Sequence, residues 1–268
     1  REFVTGYVLS SKRVKKNYHR IRLHAPVIAK KAKTGQFGMI QVNNLYDPLL
    51  KRPMSFHSID RSNGNVDFLF QVVGRGTELI SGFKNGHEIS VVGPMGNGFK
   101  IKKKKRIIIA AGGIGVSPLF SLVDTLIHDT GVAPETVSIY MGGRSRNDIL
   151  CAPEFNKMRI DTIITTDDGS RGQKGLVTEP LQDALEKLEK PSSAIIYTCG
   201  PHPMLNAVSR LASKYSVECQ VSMENMMACG TGACLGCVVE TKSDFSDEYG
   251  YKTVCKDGPV FSSAKLRW

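Results

Sequence analysis

Along the first hundred residues, apolar and polar side chains alternate in short runs. EFVTGYVLS, YHRIRLHA, GMIQVNN and VDFLFQVV each switch character at nearly every second residue, and Gly, Asn, Asp and Pro punctuate them. A period of two marks half-buried strands, and few segments here sustain a helical period, so residues 1–100 predict a small antiparallel β-barrel. From Arg106 the pattern changes. RIIIAAGG, VSIYMGG, DTIITTDD and SAIIYTCG read as buried-type strands, and they alternate with the helical segments SPLFSLVDTLIHD, LVTEPLQDALEKL and HPMLNAVSRLASKY. Strand–helix alternation at this spacing predicts βαβ units and a doubly wound parallel sheet over 101–216. Beyond about Val217 the chain becomes Cys- and Gly-rich, which predicts a third, small module over 217–268.

Composition adds limits. With 268 residues, 41% hydrophobic and 23% charged, the chain is ordinary for a globular protein with a substantial core. No apolar run approaches the ~20 residues that span a bilayer, and REFVTGYVLS lacks the character of a signal peptide. The expected location is cytoplasmic, with no membrane partner. In that compartment clustered cysteines point to metal binding or catalysis rather than disulfides. The net charge of +11 raises the question of nucleic acid. Much of it sits in one run, KIKKKKR (Lys100 to Arg106), with no nucleic-acid module around it. The expectation is a solvated loop between domains and no nucleic-acid partner, with docking to an acidic protein surface left open.

The densest chemistry lies in ENMMACGTGACLGCVVETK. Cys229, Cys234 and Cys237 are spaced C-x4-C-x2-C, and Cys255 follows in TVCKDGPVF. This is the plant-type [2Fe–2S] spacing, in which four thiolates hold two irons. Gly230, Gly232 and Gly236 suit a loop that turns its N–H groups towards sulfur, because such a loop demands positive φ and close backbone approach. Structural zinc usually shows paired C-x2-C knuckles, and only one such pair exists here. Cys151, Cys199 and Cys219 are scattered elsewhere.

Two glycine-bearing turns lie in the middle of the chain. AAGGIGVSPL follows a strand and opens a helix; Gly112, Gly113 and Gly115 would let the backbone approach a pyrophosphate at a helix N-terminus. Tight packing of strand on helix produces the same letters, but TCGPHPML repeats the arrangement, and both turns would lie at one carboxyl edge of a parallel sheet. Cys199 in the second turn reads as a small buried residue with no base to activate it. In the first domain, Arg52 of LLKRPMSFHSID could clamp a diphosphate and Ser55 could bond a flavin ring. GRGTELI then offers a second phosphate-binding turn. On composition alone these last two are merely a strand and a turn.

In order, RPMS, GRGT, GGIGVSP and CGPHPM resemble the motifs of the ferredoxin–NADP reductase superfamily over about the first 215 residues. The compact cysteine module, with 17 residues between Cys237 and Cys255, together with VCKDGPVF and TDDGSRGQKGLVT, resembles the electron-transfer subunits of NAD-dependent type B dihydroorotate dehydrogenases over the full chain. The resemblance implies an FAD-binding barrel, an NAD-binding α/β domain and a [2Fe–2S] module. It implies that Arg52, Pro53, Met54, Ser55, Leu69, Phe70, Gln71, Gly76 and Thr77 hold FAD. It further implies that Gly112, Gly113, Gly115, Pro118, Cys199, Gly200 and Pro201 shape the NAD site, and that Cys229, Cys234, Cys237 and Cys255 ligate the cluster. Met54 stands where the superfamily often has Tyr; no acid that reads the NAD ribose is identified, and Arg144 and Arg146 after YMGG could welcome a 2′-phosphate, so NAD over NADP rests mainly on the resemblance. The implied activity is a relay. A partner subunit carrying FMN, two copies of each chain together, oxidises dihydroorotate, and this chain passes electrons through the cluster and FAD to NAD. The rivals are an NAD(P)H-dependent ferredoxin or oxygenase reductase or transhydrogenase subunit and, from another class, a zinc- or nucleic-acid-binding non-enzyme.

Overall fold

The computed structural model describes residues 2–43, 46–243 and 249–268; Asn44, at the end of the GMIQVNN run, lies outside them. Two compact units emerge. The first comprises residues 1–99, 225–239 and 252–259, and the second 100–224, 240–251 and 260–268.

The first unit is built on a closed antiparallel barrel. Its strands are β1 (Glu2–Lys15), β2 (Tyr18–His24), β3 (Phe37–Ile40), β4 (Arg52–Asp60), β5 (Asn65–Gln71) and β6 (Glu88–Met95). They close in the order β1-β2-β5-β4-β3-β6. Closure removes the sheet edges, and the period-two pattern then sends alternate side chains inside. Phe56 and Phe68 face each other across β4 and β5 with ring centroids 5.3 Å apart. Ile21, Leu23, Met54 and Phe70 complete the same core. Helices α1 (Pro26–Lys31) and α2 (Arg75–Ser81) are single short segments between strands.

The second unit is a parallel sheet with helices. In chain order it runs β7 (Arg106–Gly112), α3 (Val116–Asp124), β8 (Val137–Gly143), α4 (Ala152–Lys157), β9 (Asp161–Thr166), β10 (Gln173–Lys174), α5 (Thr178–Glu186), β11 (Ala194–Cys199), α6 (His202–Lys214) and β12 (Glu218–Ser222). The sheet order is β10-β9-β8-β7-β11-β12-β15, where β15 (Val260–Ser262) adds antiparallel to β12. Ile107 to Gly112 are all buried, as expected of a central strand covered on both faces. The chain steps outward from β7 through β8 and β9, then returns to place β11 on the other flank of β7. That reversal makes the β7–β11 boundary the topological switch point, where ligands of open α/β sheets bind.

Residues 217–268, read from sequence as one module, are shared out. Strand β12 pairs along β11 from Glu218 to Ser222, while residues 225–239 and 252–259 belong to the barrel's unit. A five-residue strand with four buried residues gains more by extending the sheet than by serving a small separate core. Strands β13 (Val238–Lys242) and β14 (Tyr249–Thr253) form a two-stranded sheet. The basic run is tied down within the second unit. Lys102 pairs with Glu218, and the Lys103 and Lys104 ammonium groups donate to the carbonyls of Thr130 and Ser192.

Candidate functional site

In the barrel, strand alternation divides the residues expected around a flavin. Met54 and Phe70 point into the hydrophobic core, so any ligand contact they make runs through the main chain. Pro53, Ser55 and Gln71 are half-buried on the other face of their strands, Leu69 shares that face with Gln71, and Arg52 is half-buried at the first position of β4. The two phosphate candidates, apart in sequence, come together. The Arg52 guanidinium lies so close over Gly76 that a Cβ there would sit 2.7 Å from Cζ, so any larger residue would push the arginine aside. The Thr77 hydroxyl builds the turn below: it accepts the Val73 N–H at 3.0 Å and donates to the Gly74 carbonyl at 2.9 Å. Arg75 pairs with Asp47, linking this turn to the loop before β4. Tyr46, Leu49 and Val73 stand exposed on the two loops. A fixed cation, a helix start and uncovered apolar side chains suit a diphosphate-bearing aromatic cofactor.

At the switch point, the glycines of the second unit separate into two kinds. Gly112, Gly115 and Gly200 are packing residues. A Cβ on Gly115 would fall 2.5 Å from the Cys199 carbonyl carbon and 2.6 Å from the Gly200 nitrogen, and one on Gly112 would fall 2.7 Å from Pro201. The Thr198 hydroxyl donates to the Ala110 carbonyl at 2.9 Å and locks the same strands. Gly113 differs: φ is +52° and nothing lies near its missing side chain. Of the seven residues expected here, Gly113 is half-buried and Pro201 exposed, whereas Pro118, Cys199 and the remaining glycines are buried. Burial first, and then the Glu224 carboxylate, push the Cys199 thiol well up, so it is no nucleophile.

The cysteine loop belongs to the barrel's unit. Cys229 is half-buried, Cys234 exposed, and Cys237 and Cys255 buried. The Thr231 and Cys234 N–H groups donate to the Cys229 sulfur at 3.3 and 3.4 Å, and the Cys255 N–H donates to the Cys237 sulfur at 3.4 Å. Thr231, through its side chain and then its backbone with that of Cys234, holds the Cys229 thiol down to about 5. Burial, then hydrogen bonding and repulsion from Cys237, push Cys255 up to about 11, and Cys229 contributes to that rise. The thiols are thus linked in pairs: Cys229 with Cys234 and with Cys255, and Cys255 with Cys237. Gly230 and Gly232 adopt positive φ as anticipated; the third such residue is Leu235 (φ +56°), not Gly236. The loop rests on Met39 of β3, whose sulfur would lie 2.9 Å from a Cβ on Gly230.

Among the described residues, no three His, Cys, Asp or Glu side chains are grouped as ligands of a single ion. A [2Fe–2S] cluster divides four thiolates between two irons, two to each. The residues fit it: four interacting thiols, backbone N–H groups turned to sulfur, and glycines where the loop closes.

Sequence reasoning missed several participants. Met39 and Asn97 reach the cysteine segments only through the fold, Asp257 accepts the Thr253 N–H within the Cys255 turn itself, and Asp167 is carried from the end of β9 to the end of β8, where its N–H donates to the Gly143 carbonyl at 3.0 Å.

Comparison with known proteins agrees with this layout. Residues 224–267 match the iron-sulfur cluster binding domain of dihydroorotate dehydrogenase B, and residues 109–210 match the oxidoreductase NAD-binding domain. The dihydroorotate dehydrogenase B (NAD(+)) electron transfer subunit of Desulforamulus reducens is 37% identical over 262 residues, 97% of each chain. Its counterpart from Fusobacterium nucleatum is 34% identical over 259 residues, 94% of each chain. Among solved structures, an NADH-dependent reduced ferredoxin-NADP oxidoreductase studied for flavin-based electron bifurcation aligns over 98% of this chain and 90% of its own, with TM-score 0.83 and 26% identity. The cytochrome b5 reductase domain of Ulva prolifera nitrate reductase shares the fold, at TM-score 0.66 and 18% identity over 81% of this chain and 94% of its own. By its full-length identity to these relatives, the chain belongs to the family of dihydroorotate dehydrogenase B (NAD(+)) electron transfer subunits.

Proposed function

We propose that this chain relays electrons from a partner subunit that oxidises dihydroorotate to NAD, using FAD and a [2Fe–2S] cluster of its own. The observation that carries the reading is that the four-thiol loop and the Arg52–Gly76 site belong to one compact unit. When bound, FAD supplies the exchange between two-electron hydride chemistry with NAD and one-electron chemistry with an iron–sulfur centre, which is why both groups are needed.

The chain's residues bind and orient. Arg52 and the turn at Gly76 and Thr77 hold the FAD diphosphate, Ser55 and the backbone of Met54 and of Leu69 to Gln71 border the flavin, and Tyr46, Leu49 and Val73 are covered by the cofactor. Gly113 and the start of α3 receive the NAD pyrophosphate, with Pro201 beside the nicotinamide. Asp167 suits a free ribose 2′-hydroxyl and repels a 2′-phosphate, while the Arg146 guanidinium is occupied by the Ser170 carbonyl at 2.9 Å. That pairing supports NAD over NADP. Cys229, Cys234, Cys237 and Cys255 hold the cluster, in a cytoplasmic setting that keeps the thiols reduced.

The partner is an FMN-containing catalytic subunit, with two copies of each chain in the assembly. Met226 is 86% exposed and Leu235 60% exposed, both close in sequence to cluster ligands; this apolar rim suits the docking side. Among the described residues no helix is long and apolar enough to cross a membrane. Iron and flavin analysis of the complex purified with its partner tests the reading. About two irons and one FAD per copy of this chain are expected; a colourless preparation sinks it.

The second reading, a subunit of a ferredoxin–NADP transhydrogenase, draws on the likeness to the NADH-dependent ferredoxin-NADP oxidoreductase over 98% of the chain. Reduced ferredoxin, but not dihydroorotate, serving as electron donor to the purified complex would favour it.

A further inference from the structure

The turn that carries Cys255 is short, and its own hydrogen bonds face inward. The Thr253 carbonyl accepts the N–H groups of Lys256, Asp257 and Gly258 at 3.3, 2.8 and 3.2 Å. One oxygen of Asp257 accepts both the N–H and the hydroxyl of Thr253, at 2.7 and 2.9 Å. On one side, Val254 N–H donates to the Cys237 carbonyl at 2.9 Å and Cys255 N–H to the Cys237 sulfur. That arrangement turns the three successive carbonyls of residues 256–258 outward.

A single residue of the barrel takes all three. The Asn97 side-chain amide donates to the Lys256 carbonyl at 3.1 Å and the Asp257 carbonyl at 2.9 Å, and its backbone N–H donates to the Gly258 carbonyl at 2.6 Å. An Asn amide has two N–H donors, so both are matched. Asn97 lies two residues beyond the end of β6, and the residue between them, Gly96, has φ +70° and would place a Cβ 2.6 Å from Pro259. The barrel thus presses its backbone against the Cys255 turn and anchors it through Asn97. Nothing in the cysteine motif itself signals this, since the partners are remote in sequence.

We propose that Asn97 is a positioning residue for the cluster ligand Cys255, so that the seat of the [2Fe–2S] cluster is completed by the FAD-binding barrel. The proposal rests on the cluster reading above. Asn97 touches neither iron nor sulfur; it fixes where the fourth thiolate stands. Outer partners of metal ligands commonly change metal retention by ~10–100-fold when removed.

The test uses the full chain purified with its partner subunit, with Asn97→Ser, Asn97→Ala and Asn97→Asp variants. Asn97→Asp keeps the size but turns an acceptor towards the Lys256 and Asp257 carbonyls, so it should be the worst. Iron release to a chelator should quicken at least about tenfold in Asn97→Ala and more in Asn97→Asp, with Asn97→Ser between Ala and wild type. The EPR spectrum of the reduced cluster should shift while FAD content stays at the wild-type level. Wild-type release rates and EPR spectra in both Ala and Asp variants would overturn the proposal. So would parallel loss of FAD and iron in the mild Asn97→Ser variant, which would mark Asn97 as a residue of the fold alone. Absence of any iron–sulfur signal in the wild-type complex would instead overturn the cluster reading itself.

Discussion

The cysteine loop and the carboxyl edge of the parallel sheet are both written in glycine, yet the glycines do different physical work. At the sheet edge, Gly112, Gly115 and Gly200 exist because two turns press against each other, and Gly113 alone combines open space with positive φ. In the cysteine loop, Gly230 and Gly232 turn the backbone so that N–H groups reach sulfur. The difference teaches that glycines alike in sequence can serve close packing in one place and a turn of the backbone in another. At the sheet edge the ligand would meet one glycine and the N-terminus of α3; in the loop the glycines shape the ligand set itself.

Breaking the loop should have the larger effect. Cys255→Ala should lose the cluster outright, because each iron needs two protein thiolates, whereas Cys151→Ala and Cys219→Ala should keep about two irons per chain. Iron analysis decides it. At the sheet edge, Gly115→Ala forces a methyl into the Cys199 backbone, which cannot step aside. Overpacking of this kind costs ~1–3 kcal/mol, so NADH oxidation by an artificial acceptor should collapse while FAD and iron are retained; unchanged NADH kinetics would show that the two turns can part freely. Arg52→Ala removes a charge-assisted bond from the FAD diphosphate, with ~1.5–3 kcal/mol at stake. FAD should bind ~10–150-fold more weakly by titration of the apoprotein.

The smallest effect concerns the iron-free chain. Cys229, held down to about 5, should be thiolate at neutral pH and react with iodoacetamide at a rate that falls only as pH drops through about 5. Cys255, pushed up to about 11, should stay protonated and slow. Mass spectrometry of alkylated peptides between pH 4 and 9 would separate them; equal pH profiles would contradict the asymmetry of the loop.

What the sequence made legible follows from the range of the forces involved. The barrel strands, the central parallel strands and helices α3, α5 and α6 announce themselves because their periodicity is local. The four cysteines are legible because ligand chemistry needs particular side chains at close spacing. Less legible is whatever depends on neighbours far along the chain. Strand β12 joins the sheet because β11 leaves an edge for it, and Leu235 takes positive φ where Gly236 was the natural candidate. Met54 and Phe70 face the core because strand alternation, not motif membership, sets their direction. Asn97 and Asp167 acquire their places only when β6 meets the Cys255 turn and β9 runs beside β8.

The relay itself is tested most directly by reconstitution. The isolated chain, loaded with its cofactors, should oxidise NADH with an artificial acceptor and yet fail to reduce NAD with dihydroorotate. Adding the FMN-containing catalytic subunit should establish dihydroorotate-dependent NAD reduction, and Met226→Asp should depress that second activity while sparing the first. Dihydroorotate-dependent NAD reduction by this chain alone would contradict the account.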